Sequence, residues 1–427
     1  MEYSDYPSLG ERVYHEVLPN GMKLFVVARP DYGKQFAFFS THYGGMNLRF
    51  RGEGGDWVET PAGVAHYLEH KMFDTEDGNA QQVLAANGAS DNAFTSSNIT
   101  GYYFEGTHGF EENLRTLLSF VSVPWFTEES VRKEQGIIGQ EIRMGEDDPY
   151  SELYDRMMEM LYVNHPVRTR VIGTVESIAG ITVETLYQCH KAFYRPGNMV
   201  LCVAGNVDPE KVKAIACEVL PKEHSAATES DLGRQEPMRT AETEKEWEMP
   251  VAMPIFNLGM KGEPAEPGER LRQRLTAELA CDALIGPSSD LYTILYEKGL
   301  INNSFGGGYE SVDGAAYLLI TGESRDPRRV RDEILAKGQR LARDGIESAL
   351  WERIVRAAYG TMVRRLNSLE GTCIELAESC FEGENYFRFP EVFQSIEKAD
   401  AERLLDSWCR LERTAMTIVK PLKEQSE

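Results

Sequence analysis

Gly63-Val64-Ala65-His66-Tyr67-Leu68-Glu69-His70-Lys71-Met72-Phe73 is a short run with apolar residues at helical spacing, and it carries the pattern His-x-x-Glu-His. Histidines at i and i+4 project from one face of a helix, so His66 and His70 can reach a single metal ion, and zinc accepts that geometry. Glu69 stands between them in sequence. Its carboxylate lies beside the ligand pair, in position to take a proton from a metal-bound water.

A catalytic zinc site wants a third protein ligand and one open position. Further along, Lys133-Glu134-Gln135-Gly136-Ile137-Ile138-Gly139-Gln140-Glu141-Ile142-Arg143-Met144 offers two carboxylates seven residues apart. Seven residues is nearly two helical turns, so both fall on one face. Glu141 can ligate while Glu134 supports it, or the pair can simply be a solvated helix face; spacing alone leaves both readings open.

Outward from these stretches the chain reads as a repeated order of elements. In the first half, strand patterns at 23–29 and 35–43 precede helical ones at 63–73 and 80–87. Extended segments at 89–94 and 102–105 follow, then helical runs at 110–121 and 130–162, and a buried strand at 199–204. The second half repeats the sequence: a strand at 250–260, a helix at 267–284, a glycine-rich extended stretch at 305–322, helices at 327–343 and 348–367, and a strand at 415–419. Between them, Pro221 to Lys245 is rich in charged and small residues and lacks periodicity, as a linker does. The expected domains are therefore 1–220, a linker 221–245, and 246–427, two α+β units of one type. All eight histidines precede residue 225, so histidine chemistry belongs to the first half.

Composition narrows the partners. The 427 residues hold 45 Lys+Arg against 68 Asp+Glu, a formal charge of −23. That excess of acid leaves nothing to neutralise phosphates, which argues against nucleic acid or an anionic membrane. No apolar run approaches the length of a membrane span, and residues 1–12 carry acidic groups rather than a signal-like apolar core. Seven cysteines are scattered singly, as reduced core thiols are. A cytoplasmic protein is the expectation. Gly306-Gly307-Gly308 is not followed by the Gly-Lys-Ser/Thr of a phosphate loop.

His66-x-x-Glu69-His70 with Glu134 and Glu141 resembles the pitrilysin/insulinase family of zinc peptidases, the inverzincins, in which the His-Glu-x-x-His order is reversed. The branch it most resembles is that of processing peptidases and their small bacterial two-subunit relatives. The likeness extends through Asn20-Gly21-Met22-Lys23, Gly88-Ala89-Ser90-Asp91-Asn92-Ala93-Phe94-Thr95, Glu141-Ile142-Arg143-Met144-Gly145-Glu146-Asp147-Asp148-Pro149 and Gly173-Thr174-Val175-Glu176-Ser177-Ile178. In the second half it is one of architecture.

The resemblance implies two homologous α+β domains, each a mostly antiparallel sheet with helices packed on one side, forming half of a clamshell chamber. It implies one Zn2+ per chain on His66, His70 and Glu141, with Glu69 as general base and Glu134 orienting the site. It places an extended peptide substrate against Asn92 and Ala93. Family members carry an Arg and, seven residues on, a Tyr in the second half. Here Leu295-Tyr296-Glu297-Lys298-Gly299-Leu300-Ile301-Asn302-Asn303 has Tyr296 near the Arg position and Asn302 or Asn303 near the Tyr, and no arginine lies between Arg274 and Arg325. An intact metal motif beside a degraded clamp implies a zinc-bearing subunit whose related partner supplies the Arg/Tyr pair in a heterodimer. The alternative is a homodimer in which another residue, such as Tyr309, has taken over. The activity implied is a zinc-dependent endopeptidase acting on short or unfolded peptides. Rival readings are a non-catalytic scaffold subunit of the same fold and a maturation protease dedicated to one peptide or protein.

Overall fold

The computed structural model describes residues 1–52 and 54–423. It divides into two compact units, neither of them continuous in sequence.

The first unit comprises Met1–Ile142, Arg170–Leu232 and Val363–Phe387. Its seven strands lie in the order Glu2–Tyr6, Glu11–Val17, Lys23–Ala28, Met199–Gly205, Gln35–Thr41, Thr100–Gly106 and Ser90–Thr95. Only the pairing of Met199–Gly205 with Lys23–Ala28 is parallel. Alternate residues Leu24, Val26, Ala37, Phe39, Leu201 and Val203 face one way and join a core with Leu68, Leu114, Leu117, Leu118 and Leu186 from the helices. The residues of opposite parity are buried too: Phe36, Phe38 and Cys202 are fully covered. Their cover is the helix Leu369–Phe381, which packs on Met199–Gly205 and Gln35–Thr41 and brings Cys373 and Cys380 near Cys202.

The second unit comprises Arg143–Thr169, Gly233–Met362 and the chain from Arg388 on. Its five strands run Glu244–Met249, Thr414–Pro421, Ile255–Gly262, Ala315–Glu323 and Gly306–Val312, again with one parallel pair, Glu244–Met249 with Thr414–Pro421. This is the strand order of the last five strands of the first sheet: first beside last in parallel, then second, fourth and third. The three glycines 306–308 lie in its edge strand. The helices Arg270–Ile285 and Lys398–Trp408 pack on one face and Pro149–Leu161 on the other. A Cβ on Gly262 would meet Trp408, whereas one on Gly259 would meet Met157 and Leu161.

The compact units thus do not divide at a single cut near 221–245. Each sheet's second face is covered by a helix from the other half of the sequence, Leu369–Phe381 for the first and Pro149–Leu161 for the second. Helices therefore occupy both faces, one of them through a single element. The central strands require this, because their apolar runs do not alternate and burying only one face would expose the rest to water. The stretch 221–245 is not a bare spacer either. Glu229–Ser230 pairs with the strand Arg49–Arg51, and Glu236 accepts the backbone amides of Val163 (2.8 Å), Asn164 (2.7 Å) and His165 (2.8 Å).

The expected helical run 130–162 is two helices, Glu128–Asp147 and Pro149–Leu161. Proline disfavours helical backbone in the residue before it, and Asp148 is extended (φ −90°, ψ 118°) and caps the second helix through the Ser151 amide (2.8 Å). Among the described residues no helix is long and apolar enough to cross a membrane.

The seat of Pro149–Leu161 is testable. A Cβ at residue 259 would lie 2.5 Å from Met157 Sδ and 2.9 Å from Leu161 Cδ1. Gly259→Val should therefore destabilise the protein by about 1–3 kcal/mol in urea unfolding, the usual cost of overpacking. A loss below about 0.5 kcal/mol, the size of an ordinary surface change, would mean that the helix is not seated on that strand.

Candidate metal centre

The helix Val64–Met72 begins at Gly63, whose φ of 94° lies in the left-handed region; a Cβ there would also strike Ile172 O at 2.6 Å. Val64, Ala65, Leu68 and Met72 anchor it in the core. Tyr67 donates from its hydroxyl to Val131 O and so docks it on the helix Glu128–Asp147. That docking brings the two halves of the candidate site together. His66 Nε2 lies 3.7 Å from Glu141 Oε1 and His70 Nε2 lies 3.6 Å from Glu141 Oε2. One ligand atom each from His66, His70 and Glu141 falls within 4.8 Å of the others.

These separations suit a cation better than they suit one another. Donors about 2.1 Å from a tetrahedral zinc stand roughly 3.4 Å apart. The two gaps to Glu141 are close to that and too long for direct hydrogen bonds. Neither nitrogen of His66 has a hydrogen-bond partner among the described residues, and its Nδ1 is buried. Burial, and then the neighbouring His70, lower the His66 pKa to about 4, so the imidazole is neutral at neutral pH with a lone pair to offer. The donor set fits a zinc ion.

Glu134 is bonded to His70, with Oε1 3.1 Å from Nδ1. The acceptor at Nδ1 fixes the tautomer that leaves His70 Nε2 free to ligate. Burial would push the Glu134 carboxyl up, but the bond to His70 and the nearby Lys71 hold it below its ordinary value. Burial opposes charge on His70, whereas Glu134, Glu69 and Glu141 raise its pKa overall.

Glu69 is 8% exposed, and burial raises its carboxyl above the ordinary value, against the pull of Thr95 and His70. Its Oε2 accepts from Thr95 Oγ1 at 2.8 Å. Thr95 closes Ser90–Thr95, the edge strand of the first sheet, which also carries Asn92 and Ala93. On its inner side this strand pairs with Thr100–Gly106; Ala93 N donates to Asn92 Oδ1 at 2.9 Å. Two participants were not read from the sequence. Thr95 gave no signal, sitting at the end of an ordinary strand pattern. Lys71, 1% exposed and paired with Asp74, stands in the quoted motif, where the sequence assigns it no role.

In the second unit, Tyr296 is exposed and stacked on Tyr292 (centroids 6.1 Å apart), and Asn302 is engaged with Glu323 (2.7 Å) and Ser304. Tyr309 is buried against Trp408 and donates its hydroxyl to Gln273 Oε1 at 2.7 Å. The described histidines outside the site include two fixed in the core: His165 Nε2 lies 2.8 Å from Asp313 O and His190 Nε2 3.0 Å from Val121 O.

Comparison with known proteins gives the family. The family model described as Insulinase (Peptidase family M16) matches residues 53–175, and that described as Peptidase M16 inactive domain matches residues 180–358. The chain is 36% identical to the uncharacterized zinc protease YmfH of Bacillus subtilis over 98% of either sequence. A putative M16-like peptidase from Alicyclobacillus acidocaldarius superposes with a TM-score of 0.92 at 30% identity, covering 96% of this chain and 99% of that one. A protease from Helicobacter pylori shares the fold at a TM-score of 0.83 and 19% identity, over 96% and 100% of the two chains. Whole-length identity to a zinc protease, two successive family matches and a His-His-Glu group on the first of them lead to one statement: this chain belongs to the insulinase family of peptidases, M16.

Proposed function

We propose that the protein is a zinc-dependent endopeptidase subunit that cleaves short or unfolded peptides, with one zinc on His66, His70 and Glu141. The observation that carries this reading is the convergence of two imidazoles and a carboxylate beside a buried carboxylate, Glu69, held by Thr95. A zinc ion there supplies Lewis acidity, bringing a bound water's pKa to about 7 and stabilising negative charge on the substrate carbonyl.

The chain's own residues do the rest. Glu69 takes the proton of the attacking water and delivers it to the departing amine nitrogen; its raised pKa makes it a better base than a surface carboxylate. Thr95 holds one carboxylate oxygen and so aims the other. Glu134 keeps His70 in register. An extended peptide adds to the outer side of Ser90–Thr95 at Asn92 and Ala93 and is read mainly through its backbone, which favours unfolded substrates. Seven unpaired cysteines, most of them buried, support a reducing compartment, the cytoplasm.

The reading includes a related partner that supplies an Arg/Tyr pair. Tyr296 stands near the family's Arg position and Asn302 or Asn303 near its Tyr, and Tyr309 already donates its hydroxyl to Gln273. The test is zinc content of the purified chain together with cleavage of an unstructured peptide library, read by mass spectrometry. One zinc and no cleavage until a related subunit is added is the expected result. Cleavage by the chain alone would remove the need for a partner, and a chain without stoichiometric zinc would overturn the peptidase reading in favour of a scaffold.

A further inference from the structure

Lys71 is among the largest fully buried side chains of the molecule, at 1% exposure. An ammonium taken out of water is costly unless it is paired, and a methionine or leucine would fill the same space without that cost. Its partners explain it. Nζ is ion-paired with Asp74 Oδ2 and lies 3.7 Å from Glu134 Oε2. The other oxygen of Glu134 is the one that faces His70 Nδ1, at 3.1 Å. The two oxygens of Glu134 are therefore divided between a fixed cation and a candidate metal ligand.

We propose that Lys71 is a positioning residue of the metal centre: its buried charge balances Glu134 and aims that carboxylate at His70, so that Nε2 of His70 is held toward the ion. This rests on the reading of His66, His70 and Glu141 as zinc ligands. Charge counting supports it. Asp74, Glu69, Glu134 and Glu141 bring four carboxylates to the neighbourhood, more than one divalent ion can offset, and Lys71 is the buried cation between two of them. The competing explanation is purely structural. A basic residue in the last turn of Val64–Met72 also suits the negative end of the helix dipole.

Zinc affinity separates the two. It is measured by competition with a chromophoric chelator on purified full-length wild type, Lys71→Met, Glu134→Gln and the double variant, with no turnover needed. Each single variant should bind zinc about 10- to 100-fold more weakly, the usual effect of losing a group that orients a ligand. The double variant should be no weaker than Glu134→Gln alone, because Lys71 acts through Glu134. Lys71→Met binding zinc as tightly as wild type, or losses that multiply in the double variant, would overturn the proposal and leave the helix-dipole role. Should Lys71→Met not fold, Lys71→Gln keeps a donor without the charge and carries the same expectation. A wild type that binds no zinc overturns the underlying metal reading and this proposal together.

Discussion

Glu69→Gln should abolish the peptide cleavage measured with the related subunit present while leaving the metal in place. General-base catalysis contributes about 10²–10⁴-fold, and the reaction assigned here has no second base beside the metal group, so the expected loss is at least about 10³-fold in kcat. The substitution is conservative in every other respect. Glutamine keeps the shape, and its amide oxygen accepts from Thr95 Oγ1 as the carboxylate oxygen does. The three groups within reach of the ion are untouched. Stability gives an independent check of the same assignment. Burial raises the Glu69 pKa, which means the folded state disfavours the ionised form. A carboxylate with a raised folded pKa lowers stability once the pH is above that pKa, and the cost vanishes below the unfolded value. At neutral pH the cost is present, so in the metal-free protein the glutamine variant should melt no lower than wild type. Residual cleavage above about one per cent, corrected for contaminating protease, would remove Glu69 from the role of base.

What depends on local physics is legible in the sequence. A helix with two histidines at i and i+4 needs no tertiary information, and 64–72 is that helix. The duplication was legible in element order, and the second sheet repeats the arrangement of the last five strands of the first. What escaped depends on distant partners. The strands Glu2–Tyr6, Glu11–Val17 and Glu244–Met249 went unread because they are partly exposed and rich in charge, with little apolar alternation. Glu11–Val17 and Glu244–Met249 are each hydrogen-bonded on the inner side to a far more apolar neighbour, which supplies the burial the polar strand lacks, and Glu2–Tyr6 pairs in turn with Glu11–Val17. The exchange of helices between the halves escaped for another reason. Phe36-Ala37-Phe38-Phe39 and Met199 to Gly205 do announce a strand covered on both faces, but an apolar run cannot say which helix covers it. At the site, the pairing of Glu134 with Glu141 was legible as a helix face. Its neutralisation by Lys71 was not, because a lysine beside a histidine in sequence is ordinarily solvated.

Removing His66 should empty the centre. Of the three candidate ligands it is the most committed to a metal: its ring makes no hydrogen bond among the described residues, and its depressed pKa keeps it neutral. His66→Ala should therefore cut zinc content from one per chain to below about 0.1 after dialysis, since a His/carboxylate pair is a poor site for a tetrahedral ion. Thermal unfolding makes the same point through linkage. A ligand at 1,000 times its Kd stabilises the state that binds it by about 4 kcal/mol. For a unit of roughly 200 residues that is a shift of about 10 °C in Tm, so zinc should raise the wild-type transition by that much and His66→Ala not at all. Glu141→Gln should fall between them, because an amide oxygen is a weaker donor but still reaches both imidazoles' side of the site. A scaffold that merely shares the fold would show no zinc-dependent shift in any of the three proteins. Equal shifts in wild type and His66→Ala would place the ion elsewhere, and the roles given to Glu69 and Glu134, which depend on its being between these side chains, would fall with it.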